Sequence, residues 1–93
     1  VITKLARPRL LGKVRLRFDR HTQQHMLIYP EKGLILNASA EAVARLCTGE
    51  NTVEDIVQRL HAANSGATRE EVERDVHGFL DALVARALIR FDS

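Results

Sequence analysis

Few side chains in this sequence are equipped for chemistry, and those few do not gather. A metal site would need several of His21, His25, His61, His77 and Cys47 at ligand spacing, and no pair of them forms a recognised motif. His21 and His25 flank one loop and could meet only across it. Glu70, Glu71, Glu73 and Asp75 make a run of carboxylates, but it falls in the first turns and on the outer side of a helix. Solvation and the positive helix end account for such residues without a catalytic role. There is no glycine-rich phosphate loop, nucleophile elbow or HExxH pair. Arg15 and Arg17 remain, two residues apart on what reads as a strand, where both would project together toward phosphates or carboxylates. The chemistry on offer is therefore recognition: no catalytic residue, metal ligand or cofactor site is expected, and the chain reads as a binding module, not an enzyme.

The elements that position these residues are legible from periodicity. "VRLRFD" (residues 14–19) alternates strictly, Val14, Leu16 and Phe18 on one face and Arg15, Arg17 and Asp19 on the other, as in a half-buried strand. "HMLIYP" (residues 25–30) follows a polar loop and is apolar on both faces, Met26 and Ile28 against Leu27 and Tyr29, as a central strand would be. "PEKG" then turns the chain, Pro30 fixing φ and Gly33 giving a permissive backbone, into a third strand over residues 34–37. The three form an antiparallel meander.

Beyond it the period changes from 2 to 3.6. Asn37 or Ser39 can cap a helix carrying Ala40, Val43, Ala44, Leu46 and Cys47, which Gly49 ends. Thr52 and Asp55 resemble a capping box for a second helix with Val53, Ile56, Val57 and Leu60 on one face. Thr68 and Glu71 form a better one, opening the longest helix, whose stripe runs through Val72, Val76, Phe79, Leu80, Leu83, Val84 and Ala87. That stripe is flanked by Asp75, Gly78, Ala82 and Arg86. Gly78 costs about 1 kcal/mol of helix propensity relative to Ala, so something is expected to approach closely there. The tail "LIRFD" can form a last extended piece.

At 93 residues the chain suits one α+β domain, with residues 1–12 extended or flexible at its front. Its apolar runs are far short of the ~20 residues of a spanning helix, and no signal-peptide pattern opens it, so no membrane contact and a cytoplasmic location are expected. The lone Cys47, at apolar helical spacing, reads as a buried thiol. Charge is uneven: residues 1–20 carry +6 and residues 21–93 carry −4. Three strands followed by three helices resemble a winged helix-turn-helix module with its ribbon moved to the front, which raises nucleic-acid binding as the alternative. Over residues 69–81, however, the third helix carries a net −3, which repels the phosphate backbone.

Two surfaces of the meander invite partners. The face bearing Ile35 lacks an obvious cover: the N-terminal Leu5, Leu10 and Leu11, a second copy in a homodimer or a partner protein could supply one. The third strand is an edge, and its free amides and carbonyls can accept an extended peptide.

"YPEKGLILNASAEAVARLCTGENTVEDIVQRL" followed by "DVHGFLDAL" resembles the PqqD family, small chaperone-like components of pyrroloquinoline quinone biosynthesis, and the likeness runs over about residues 8–88. Ala87-Leu88 departs from the Gly-Leu that is common in the family. The resemblance implies a non-catalytic protein that binds the precursor peptide PqqA and presents it to the radical SAM enzyme PqqE. It also implies the fold of a recognition element for leader peptides of modified ribosomal peptides. There the peptide adds beside the third strand and lies against the third helix, which would place its contacts at Leu34, Ile35, Leu36 and Asn37 and at Asp75, Gly78, Phe79 and Ala82. Pockets around Leu36 and Phe79 would read its side chains. Arg15 and Arg17 are assigned to docking of the enzyme or of an acidic part of the peptide.

Overall fold

The computed structural model describes residues 2–30 and 32–92. Its elements run β1 (Arg7–Leu10), β2 (Arg15–Asp19), β3 (Gln24–Tyr29), β4 (Lys32–Leu36), α1 (Ala38–Leu46), α2 (Val53–Ala63), α3 (Arg69–Ala85) and β5 (Ile89–Asp92). The three-stranded antiparallel sheet has the order β2-β3-β4 and is followed by three helices, as the periodicity predicts. A second, two-stranded sheet pairs β1 with β5. The turn expected from "PEKG" includes Glu31, which lies outside the described residues.

Cross-strand register fixes the two faces of the larger sheet, because opposed residues share a face and neighbours alternate. Leu16, Leu27 and Leu34 oppose one another, as do Arg17, Met26 and Ile35. The first row faces the helices: Leu27 is fully buried, and Leu16 and Leu34 pack against the same core. The second row, with Arg15 and Ile28, forms the outer face. Gly33 belongs to it and is not a turn residue. A Cβ there would lie 3.0 Å from the terminal methyl of Met26, so the missing side chain leaves room for Met26 to fold across.

Each helix begins where a side chain meets its free amides. Asn37 Oδ1 accepts from Ala40 N at 2.8 Å, and both expected capping boxes form, Thr52 with Asp55 and Thr68 with Glu71. Val43 and Ala44 from α1, Ile56 and Val57 from α2, and Val72, Val76, Leu80 and Leu83 from α3 bury one core with the inner sheet face. Cys47 belongs to it, and burial pushes its thiol up to about 12.

Three expectations need correction. The N-terminal segment does not cover the outer sheet face. Leu10 and Leu11 pack against the core, Leu5 is 72% exposed, and the carbonyls of Lys4 and Ala6 accept from Glu54 N and Val53 N at the start of α2. The segment is held there because β1 lies between two strand-like partners, with Leu10 N donating to Cys47 O at 3.0 Å and Arg9 Nε reaching Asp92 Oδ2 at 2.8 Å. Gly49 does not end α1 either; the cap is Cys47. Gly49 instead adopts φ +85° and donates to Pro8 O at 2.9 Å, and a Cβ there would collide with the Arg9 guanidinium. Finally, the third strand stops at Leu36, since Asn37 is the cap of α1.

Candidate functional site

Strand order makes β4 an edge. The pair Tyr29↔Lys32 brackets its connection to β3. Counting outward from such a closing pair, Leu34 and Leu36 point their amides into the β3 ladder, and Gly33 and Ile35 turn theirs outward. The edge thus offers two alternate residues for main-chain pairing. Ile35 is 60% exposed, with its side chain on the outer face, whereas Leu34 is half-buried on the inner face.

Depressions lie at the two ends of β4, and the α3 segment contributes to both. At the Asn37 end a depression of about 610 Å³ is lined by Asn37 and the first turn of α1, and by Asp75, Gly78 and Phe79. Val43, Leu60, Val72 and Val76 also line it and give it an apolar wall. At the opposite end a depression of about 480 Å³ is lined by Tyr29, Lys32, Gly33, Leu34, Ala85 and Arg86. Lys32 and Arg86 thus border one depression, and Asn37 and Asp75 the other.

The structure brings four of the eight peptide-contact residues expected from sequence into one depression and separates the others. Asn37, Asp75, Gly78 and Phe79 share the larger depression, and Leu34 lines the smaller one. A Cβ at Gly78 would meet nothing within 4 Å. The glycine therefore leaves open space on α3, and no other described part of the fold comes within 4 Å of that position. Leu36 is only 5% exposed and lines neither depression, so its side chain is core, and the pocket forms around Phe79 and Val76 instead. Asn37 spends its side-chain oxygen on the α1 cap. Ala82 is half-buried and lines neither depression. Lys32 was not anticipated, although its two-residue spacing from Leu34 places it on the same inner face.

Arg15 and Arg17 stand apart, on the outer face of β2. Their guanidinium groups donate to nearby carbonyls, Arg15 to Gly12 O and Val14 O and Arg17 to Leu16 O at 3.0 Å. Neither pairs with a carboxylate among the described residues. With Met26, Ile28 and Ile35 they make an apolar surface with a basic margin. Of the histidines, His25 stacks obliquely on Phe18 with ring centroids 4.9 Å apart. Among the described residues, no three His, Cys, Asp or Glu side chains converge to hold a metal ion, and no helix is long and apolar enough to cross a membrane.

The model of the family described as "Coenzyme PQQ synthesis protein D (PqqD)" matches residues 24–89. The chain is similar to the "PqqA binding protein" of Xanthomonas axonopodis pv. citri, at 36% identity over 89 residues, 96% of this chain and 96% of that protein. It is 37% identical over 82 residues to the "Bifunctional coenzyme PQQ synthesis protein C/D" of Methylorubrum extorquens. That match covers 88% of this chain and spans only 22% of the bifunctional protein's length. Among solved structures, the NMR structure of the PqqD truncation of Methylobacterium extorquens PqqCD superposes with a TM-score of 0.80 at 33% identity, over 97% of this chain and 95% of that one. That truncation is described as a functional, stand-alone recognition element for ribosomally synthesized and post-translationally modified peptides. TbiB1 in complex with the TbiA(beta) leader peptide has the same fold, with a TM-score of 0.75 at 22% identity, covering 91% of this chain and 98% of that one.

Proposed function

The chain belongs to the PqqD family, and from that premise we propose that it binds the precursor peptide PqqA as an added strand on β4 and presents it to the radical SAM enzyme PqqE. One observation carries the reading: the open edge of β4 leads into Asn37, which borders a depression where Gly78 of α3 leaves space and Phe79 and Val76 form an apolar wall. Gly33 and Ile35 supply the main-chain bonds, and alternate peptide side chains face α3. Asn37 marks the end of the track, Asp75, Gly78 and Phe79 meet the peptide in the larger depression, and Ala82 lies between the two ends. No reacting group is needed. A disordered peptide is ordered on the chain and delivered at raised effective concentration, so any gain in rate at the enzyme comes from positioning.

The outer face docks the enzyme in this reading. Arg15 and Arg17 provide the charge, and Met26, Ile28 and Ile35 the apolar contact. The added peptide would continue the sheet, so its outward side chains would border the same surface. The winged helix-turn-helix description fits as an analogy of layout, but the acidic α3 disfavours a nucleic-acid groove.

The test is Ile35→Pro. Proline deletes an outward amide and leaves the β3–β4 ladder its donors, so the domain should stay folded by circular dichroism while PqqA affinity in calorimetric titration falls at least tenfold. Undiminished affinity would overturn strand addition at β4.

A further inference from the structure

We propose that Lys32 and Arg86 form a carboxylate clamp at one end of the cleft. The bound strand then carries an Asp or Glu there and a bulky apolar residue four positions away. The proposal rests on peptide addition at β4 and deepens it by assigning a sequence pattern to the ligand.

The pattern follows from parity. On β4 the inner-face positions are Lys32, Leu34 and Leu36, the same row that includes Tyr29 and Leu27 across the ladder. Residues of an added strand opposite these positions must also face α3. The residue opposite Lys32 enters the depression lined by Lys32 and Arg86, where, among the described residues, two cations and no carboxylate line the wall. Arg86 is exposed, and the one described hydrogen bond of its guanidinium is a long one, Nη1 to Ala82 O at 3.4 Å. A carboxylate arriving there is met by the planar donor fork of Arg86 and the mobile ammonium of Lys32.

The residue opposite Leu36 is placed next to the other depression, whose margin begins one residue on, at Asn37. Its apolar wall is Val43, Leu60, Val72, Val76 and Phe79, with Arg74 and Asp75 also lining it and space left over Gly78, which suits a large apolar side chain. Lys32 and Leu36 are four residues apart, roughly 13 Å of strand, so the two peptide side chains stand in an i, i+4 relation. The relation is strict in one respect. Moving the carboxylate by a single residue turns it to the outer face, away from both cations.

The experiment uses the full chain and fluorescein-labelled PqqA, with each peptide Asp or Glu replaced singly by its amide, read by fluorescence anisotropy against the unaltered chain and the Lys32→Gln/Arg86→Gln chain. Both positions are exposed, so a matching circular dichroism melt verifies the fold. One amide substitution should weaken binding to the unaltered chain about five- to tenfold and leave binding to the double variant unchanged. Shifting that carboxylate by one residue should cost as much as removing it. If every amide substitution weakens both chains equally while PqqA still binds, the clamp is wrong and the cleft stands. If PqqA does not bind the unaltered chain at all, strand addition falls and the clamp with it.

Discussion

At residue scale the end of α3 shows how a departure from expectation reads in physical terms. Leu88 N donates to Leu83 O at 3.0 Å and Ala87 N to Val84 O at 2.9 Å, the paired bonds of a Schellman ending, with Leu83 and Leu88 both fully buried. That ending needs a left-handed residue, and Ala87 supplies it at φ +57°. Its Cβ makes the conformation costly, which is why Gly is the usual choice. Ala87→Gly should therefore raise stability by about 0.5–1 kcal/mol in urea unfolding, although Gly in a helix lowers it. A loss would contradict the strain. Gly78 carries the converse lesson. Its helix cost was legible in the sequence, but only the fold decides that the space is open, because no local pattern reports what faces a helix from another element. Leu36 misleads for the same reason: the apolar triplet with Leu34 and Ile35 looks uniform, yet its members lie in core, cleft margin and solvent.

At element scale, local signals are legible in the sequence and non-local ones are not. Alternation marks β2, an apolar run closed by Pro30 marks β3, and the two capping boxes mark α2 and α3, because each signal is complete within a few residues. The β1–β5 sheet was missed as a pair. Arg7 opposes Asp92 across the length of the chain, and two four-residue strands are too short for alternation to announce their partner. The caps carry a pH dependence. Asp55 and Glu71 accept the backbone N–H of Thr52 and Thr68, which holds both carboxyls below their ordinary values of 3.8 and 4.5. Groups lowered in the folded state stabilise it while ionised, so that contribution is present above the ordinary values and fades as pH falls through the lowered ones. Thermal melts should change little from pH 7 to 5 and drop below about pH 4.5, with a shallower drop in Glu71→Gln. Equal slopes for the two chains would remove Glu71 from the account.

At the scale of the whole molecule, functions divide in the proposed reading between surfaces of one sheet. The edge of β4 and α3 are there given to the peptide and the outer face to a partner, while the N-terminal segment that could have covered that face is tied to α2 and β5. The +6 of residues 1–20 thus lies partly on the outer margin, at Arg15 and Arg17. Charge reversal of both to Glu should weaken association with PqqE and lower its salt dependence while leaving PqqA affinity nearly unchanged. Unchanged enzyme binding would detach the outer face from docking. The side chains on offer point to a binding module, but not to which surface binds what, since that depends on edges and faces set by long-range packing. The central claim is strand addition at β4 over α3, and the direct test is an NMR titration of the isotopically labelled chain with PqqA. The account predicts amide shifts at Gly33, Leu34, Ile35, Leu36 and Asn37 and along α3 from Asp75 to Arg86, with Gly33 and Ile35 gaining protection from exchange. Shifts confined to Arg15, Arg17 and the rest of β2, or none anywhere, would contradict it.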